Sequence, residues 1–511
     1  DKFNSTFKWP TFRGAYNTLV VESTVLTFDI KVTAQDGLSQ FKVNELEFGV
    51  KGQKTFSTTY TFKTDLNTPS GRRDEDIVTI SVYVKDQDGD VRQKSMKIHV
   101  MSVQRAIQQG YTGHQDTTIS FVDRDITADQ VWYTGKIYVL KKRITVKAPA
   151  KLTIQKGVIV KGESNLQETS ALVISRGAKI DAQGTNSQPI IFTTTLDNIA
   201  PGEIESKHNF SFLDIHWWDE GREMDFSHEK GLWGGLVILG KAKGSFPSDV
   251  LEFSLSGFEG FGESAKYGGE DNQDNSGVLK NIFIRFAGNR QNPSKRIPSL
   301  TLAGVGSGTQ IENIEIYQGA EDGVAVFGGA VNLSNILITQ VAEDGIQIDQ
   351  GWSGELNNYI VLNTGDNGIE IEGPKGNKYF GNHRLKNGYI SCYPCKGYLS
   401  FQENSNSNVS STLFSLAAGL MLGEILFDFG INRYPKSNNS TLENLEVMII
   451  YDPFEKMPLD WRGVFFKEVP EGKIKKVELF KHSVGPYLNK FDGWSWFYSM
   501  LLRSGGYIPG L

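Results

Sequence analysis

From Val25 to Met101 apolar and polar residues alternate almost one for one, as in "VLTFDIKVTA", "STTYTFKT" and "DIVTISVYVKDQDGDVRQKSMKIHVM". Alternation at period two marks strands with one buried face. Gly and Asp clusters separate the runs, so residues 1–102 are expected to form an antiparallel β-sandwich of immunoglobulin-like size. Within it "DQDGD" (Asp86, Asp88, Asp90) has the composition of a calcium loop, but its place between two alternating runs favours a hairpin turn.

Past a linker expected at 103–130 the pattern changes, and residues 131–511 break into brief apolar runs separated by single Gly turns. "LTIQKGVIVKG", "ALVISRGAKIDAQG" and "PIIFTTT" come first, and then one phrase recurs: "LKNIFIRFAG", "IENIEIYQGA", "LSNILITQVA", "LNNYIVLNTG", "LKNGYISC", "LENLEVMI". Each carries Asn at its third position, and Asn313, Asn335 and Asn358 follow one another at intervals of 22 and 23 residues. A repeat of that length built from short strands is one coil of a parallel β-helix. Coils stack at the ~4.8 Å strand spacing, so the asparagines are expected to form a column at one corner, side chains turned inward. Two segments interrupt the pattern, an insertion near 197–232 and an aromatic segment near 488–511 expected to cap the last coil.

Composition narrows the function classes. The 511 residues are too many for one compact core. A net charge of −6 without a basic face argues against nucleic acid. The longest apolar run, "LFSLAAGLMLG", is well short of the ~20 residues of a spanning helix, so no transmembrane segment is expected. The chain begins at Asp1, which suggests a processed product and is compatible with a lipid anchor upstream. The two cysteines, Cys392 and Cys395, leave the redox compartment open; their spacing suits a small loop disulfide or two quiet thiols.

A second phrase repeats in step with the first: "AEDGVAVFGG", "AEDGIQIDQG", "GDNGIEIEG". Stacking would bring Asp322, Asp344 and Asp366 or Asn367 into one column, whose repulsion either turn amides or a calcium ion could relieve. Calcium is the one cofactor considered there; the Gly after each acidic pair favours the turn. Catalysis would draw on Asp344, Asp349, Asp366, Glu370 and Glu372, with Gln347, Asp349 or Glu370 pointing outward. No Lys or Arg lies between Glu321 and Glu372, so a lyase base would come from elsewhere. In the insertion Trp217, Trp218, Asp219 and Glu220 have the character of a sugar-binding loop, or the tryptophans plug the side of the β-helix. His208, His216 and His228 there are spaced unlike a helix-borne zinc motif. Near the C-terminus Trp494, Trp496 and Phe497 offer either a cap or a surface for docking on a membrane-bound partner.

Taken in order, "LTIQKGVIVKG", "ALVISRGAKIDAQGTNSQPIIFTT", "GLWGGLVILGKA", "YGGEDNQDNSGVLKNIFIRFAG" and "LTLAGVGSGTQIENIEI" resemble the exported right-handed β-helix proteins of Bacteroidota, often mislabelled as transporters. The resemblance runs from about Leu152 to Gly373 and implies a protein on the extracellular face of the outer membrane. It carries no catalytic triad. The acidic phrases here hold fewer carboxylates than that family's, which weakens a borrowed metal role. The expected function is that of a non-catalytic surface lipoprotein that binds glycan or protein, as an accessory subunit of an outer-membrane assembly of the SusC/SusD-like class. The alternative is a β-helix polysaccharide lyase or glycoside hydrolase.

Overall fold

The computed structural model describes the chain except for residues 1–2, 5–6, 9–16, 22–24, 64–66, 69–70, 73–74, 102–118, 164–168, 196, 198, 205–229, 257, 259–261, 289–296, 380, 392–394, 403–404, 418–430, 433–439, 452–468, 470, 504–507 and 509–510. It separates into two units, residues 1–119 with 164–167, and residues 120–163 with 168–511.

The first unit is a sandwich of two sheets. Val25–Ala34 pairs with Thr55–Lys63 in one; Glu75–Asp86 lies between Val91–Met101 and Leu38–Val43 in the other. The alternation does the work here: Val32, Phe41, Val43, Val82, Val84, Ile98 and Val100 turn to one side and share a core with Phe48 and Phe56. The edge strand Asn17–Val21 runs parallel to Val91–Met101. "DQDGD" is the hairpin turn: the Asp90 N–H donates to Asp86 Oδ1 at 2.8 Å, and Lys85 pairs with Val91.

The second unit is a parallel β-helix, and its first coil reaches back into the span expected as linker. Ile119–Val122 pairs with Ile137–Leu140, and Gln130–Trp132 with Lys151–Ile154. Each early coil uses three short strands. From Gly277–Arg285 onward the first two are one long strand, repeated as Gln310–Tyr317, Asn332–Thr339, Glu355–Leu362, His383–Ser391, Ser407–Ala417 and Thr441–Tyr451.

The recurring asparagine marks the bend in each long strand. Asn281, Asn313, Asn335, Asn358, Asn387 and Asn444 all have positive φ, between 50° and 63°. Asn tolerates that conformation better than any β-branched residue. Asn313 Nδ2 donates to Asn281 Oδ1, Asn335 to Asn313 and Asn358 to Asn335, at 2.6–2.7 Å. The three expected column members therefore form an amide ladder. Their side chains differ in direction from the inward expectation, because Asn358 Oδ1 accepts the backbone N–H of Tyr487, which lies outside the coil. The next rung breaks register: Asn387 Nδ2 donates to Asn357 Oδ1 instead.

The C-terminal segment is not an end cap but a strap along the side of the stack. On the outer face of the long strands Phe283, Glu315, Leu337, Ile360, Tyr389, Leu413 and Glu446 stand in one row. The strap returns along this row from its C-terminal end. Ser483 Oγ and N–H donate to Glu446, Gly485 lies over Leu413, and Trp494 packs on Phe283 with ring centroids 6.4 Å apart. Ser495 Oγ donates to Glu315 Oε2 at 2.5 Å, and the Phe497 N–H, in the first turn of the helix Trp496–Arg503, donates to the same oxygen. Trp496 stacks edge-on against Tyr317, with Arg285 over its ring at 4.7 Å.

Candidate functional site

The most polar part of the stack's other long sheet is built by Ile346–Asp349, Asn367–Ile371 and Gly397–Phe401. Ile346, Ile348, Ile369, Ile371, Leu399 and Phe401 point into the core. Period two then turns Gln347, Asp349, Glu370 and Ser400 outward. Register puts Gln347, Glu370 and Ser400 side by side, and pairing of Ile348 with Ile371 brings Glu372 beside Asp349.

Lys375 completes the group. Its Nζ lies 3.4 Å from Asp349 Oδ1 and bonds Glu372. Gln347 Nε2 donates to Glu372 at 3.4 Å, and Gln402 Nε2 to Glu370 at 3.0 Å. A wall beside the row holds the lysine: Lys375 N–H donates to Ser245 O, Gly376 N–H to Ser245 Oγ, and the amides of Asn377 and Lys378 to Asp249 Oδ1. Burial, and next the charge of Glu372, push the Asp349 carboxyl up to about 7 against the pull of Lys375. The lysine itself is held above its ordinary range, since Asp349 and Glu372 outweigh its partial burial. The basic residue missing from the run 321–372 thus arrives three residues beyond it.

The acidic turns do something different. The Asp344 N–H donates to Asp322 Oδ1 at 3.0 Å, and both the N–H and Nδ2 of Asn367 donate to Asp344 Oδ1. Asn367, rather than Asp366, is the third member of the column, while Asp366 turns aside to Lys396 at 2.9 Å. Each carboxylate is engaged by amides of the coil above, as the favoured turn reading requires. Among the described residues no group of acidic, His or Cys side chains is arranged to hold a metal. Burial, then Asp322 and Glu370, push Asp344 up to about 9; burial likewise drives Asp322 well above the carboxylate range.

This has a testable consequence. A folded pKa of about 9 lies above the ~3.9 of an unfolded Asp, so the fold's preference for the protonated acid is fully present below pH ~4. It is lost as pH rises through about 9. Asp344→Asn, which copies the amide the next coil already uses, should flatten that decline and melt above wild type at alkaline pH. Melting curves from pH 4 to 10 that superimpose for the two proteins would refute it.

The remaining expected site residues fall elsewhere. Trp217, Trp218, Asp219, Glu220 and the three histidines lie outside the described residues. Trp494, Trp496 and Phe497 are buried against the chain's own sheet, so in this arrangement they do not form an exposed surface. Cys395 is disulfide-bonded, and Cys392 lies outside the described residues.

Residues 124–205 and 224–390 match the model of the pectate-lyase-like β-helix domain. No curated protein matches the chain. A solved structure, the catalytic unit of the thermostable GH87 α-1,3-glucanase from Streptomyces thermodiastaticus strain HF3-3, aligns over 88% of this chain and 90% of its own at 10% identity and a TM-score of 0.26.

Proposed function

We propose that this chain binds a neutral glycan on the outward row Gln347–Glu370–Ser400, flanked by Asp349, Glu372, Gln402 and Lys375. The observation that carries the reading is the alternation of carboxylate, amide and hydroxyl groups at strand spacing on one face. Sugar hydroxyls are bound by paired donors and acceptors of this kind. Glu370 in the row, Glu372 beside it and the partly ionised Asp349 outweigh the single Lys375, so a polyuronate chain would be repelled. The disulfide at Cys395 favours an oxidising, extracellular compartment and hence an exported protein. Attachment to the outer membrane and association with a SusC/SusD-like assembly complete this reading. They rest on the sequence resemblance.

Titration calorimetry against neutral glucan, galactomannan and polygalacturonate tests the ligand class. Binding of one of the neutral chains is expected, weakened about tenfold by Glu370→Gln, the loss of one charge-assisted hydrogen bond. Binding of polygalacturonate alone would overturn the proposal.

One observation favours a second reading, hydrolysis. A carboxyl near 7, such as Asp349, suits a general acid at neutral pH. Glu370 stands one coil and two residues away on the same face, which puts the two backbone positions about 8 Å apart by strand spacing and rise. Inverting glycosidases separate their carboxyls by ~6.5–9.5 Å. Release of reducing ends, abolished by Asp349→Asn while binding persists, would establish this reading over binding alone; no release from any chain that binds would exclude it.

A further inference from the structure

The strap is held at two points of the same chemistry. Glu446, at one end of the outer row, takes the hydroxyl and N–H of Ser483; Glu315, near the other, takes the hydroxyl of Ser495 and the N–H of Phe497. Between these clasps the sheet offers Leu337, Ile360, Tyr389 and Leu413, all fully buried at outward positions. A face this apolar cannot stay bare in water, so whatever opens the strap must be followed by something that covers the row.

Two features make opening accessible. The turn that leads from the last strand, Ile474–Val477, into the strap places Phe480 at φ 60° with the residue 57% exposed. A bulky aromatic residue is strained in that region, and the strain is relieved when the turn straightens. At the middle of the strap, Tyr487 N–H occupies the Asn358 oxygen that the next rung of the ladder would otherwise use. Asn387 sits one coil above Asn358 in register and bonds Asn357 meanwhile, so it can take over that oxygen when Tyr487 leaves.

We propose that the strap exchanges between two copies of this chain, each closing the outer row of the other to form a strap-swapped dimer. The occupant is a second copy because the row's two carboxylate clasps and apolar steps match this strap's own serines and rings. The contacts in the dimer are those of the monomer, while the strained turn at Phe480 is extended.

The test uses two differently tagged full-length chains, one carrying Glu315→Cys and the other Ser495→Cys, warmed together below the melting transition at high concentration and cooled. A short bis-maleimide is then added. Exchange is expected to give a cross-linked heterodimer on a reducing gel and a dimer by light scattering, its share several-fold lower with Phe480→Gly, which removes the strain. The double variant Glu315→Cys/Ser495→Cys on one dilute chain should cross-link internally, which shows that the clasp geometry survives substitution. Monomers alone, with that internal control positive, would overturn the proposal, as would a dimer lacking the cross-link. If the internal control fails, the dimer fraction of the unsubstituted chain after the same treatment decides: its absence overturns exchange, and its suppression by Phe480→Gly supports it.

Discussion

Replacing Trp494 and Trp496 together by alanine is expected to cost several kcal/mol of stability, since loss of one buried Trp typically costs ~3–5 kcal/mol. Both rings are buried, one against Phe283 and the other between Tyr317 and Arg285. The variant should also expose the row from Leu337 to Leu413 and bind a hydrophobic dye in the native state. Denaturant unfolding gives the first effect and dye fluorescence the second. A midpoint equal to wild type would mean that the strap rests on the sheet without stabilising it.

The second large effect belongs to the interior. Gly388 stands in register with Tyr359, whose ring crosses over it so that the hydroxyl reaches Thr412 Oγ1 at 2.9 Å. A Cβ on Gly388 would meet the Tyr359 ring carbon at 2.0 Å and its oxygen at 2.3 Å. Both groups are held in a closely packed core, so Gly388→Ala should cost about 3 kcal/mol or more. Tyr359→Leu frees the space, and in its presence the alanine should cost far less. A double-mutant cycle showing additive losses would place the cause elsewhere than this contact.

The β-helix and its corner column were readable from the sequence because both depend on spacing within one strand phrase. Asn at the third place of six phrases is a backbone requirement, and all six have the positive φ it implies. The strap was harder to read, since its partners lie far away in sequence and its aromatic residues suit a cap, a strap or a docking surface equally. A signal was nonetheless present. After the Asn in "NIFIRF", "NILIT" and "NYIVL" the alternation gives way to three or four consecutive apolar residues, and every strand residue after the bend is buried. Strands covered on both faces read this way. Lys375 escaped notice because it follows the last acidic phrase and reaches back through a loop pinned to Ser245. Of the two readings open for the acidic turns, the hydrogen bonds support the one in which turn amides satisfy the carboxylates, and of Asp366 and Asn367 it is Asn367 that joins the column.

The two clasps also set how many coils this architecture can hold. Glu315 and Glu446 are five strand spacings apart through Leu337, Ile360, Tyr389 and Leu413, roughly 24 Å at ~4.8 Å each. The strap covers that distance with the residues from Ser483 to Ser495, part of them wound into the short turn Leu488–Lys490. The same residues drawn out as a strand would reach about 40 Å. Duplication of a whole coil between the clasps lengthens the gap by one spacing and leaves the ladder's period intact, and unwinding that turn supplies the reach. One further coil between the clasps can therefore be spanned by the same C-terminal sequence, and the drawn-out length of the strap is what limits the number.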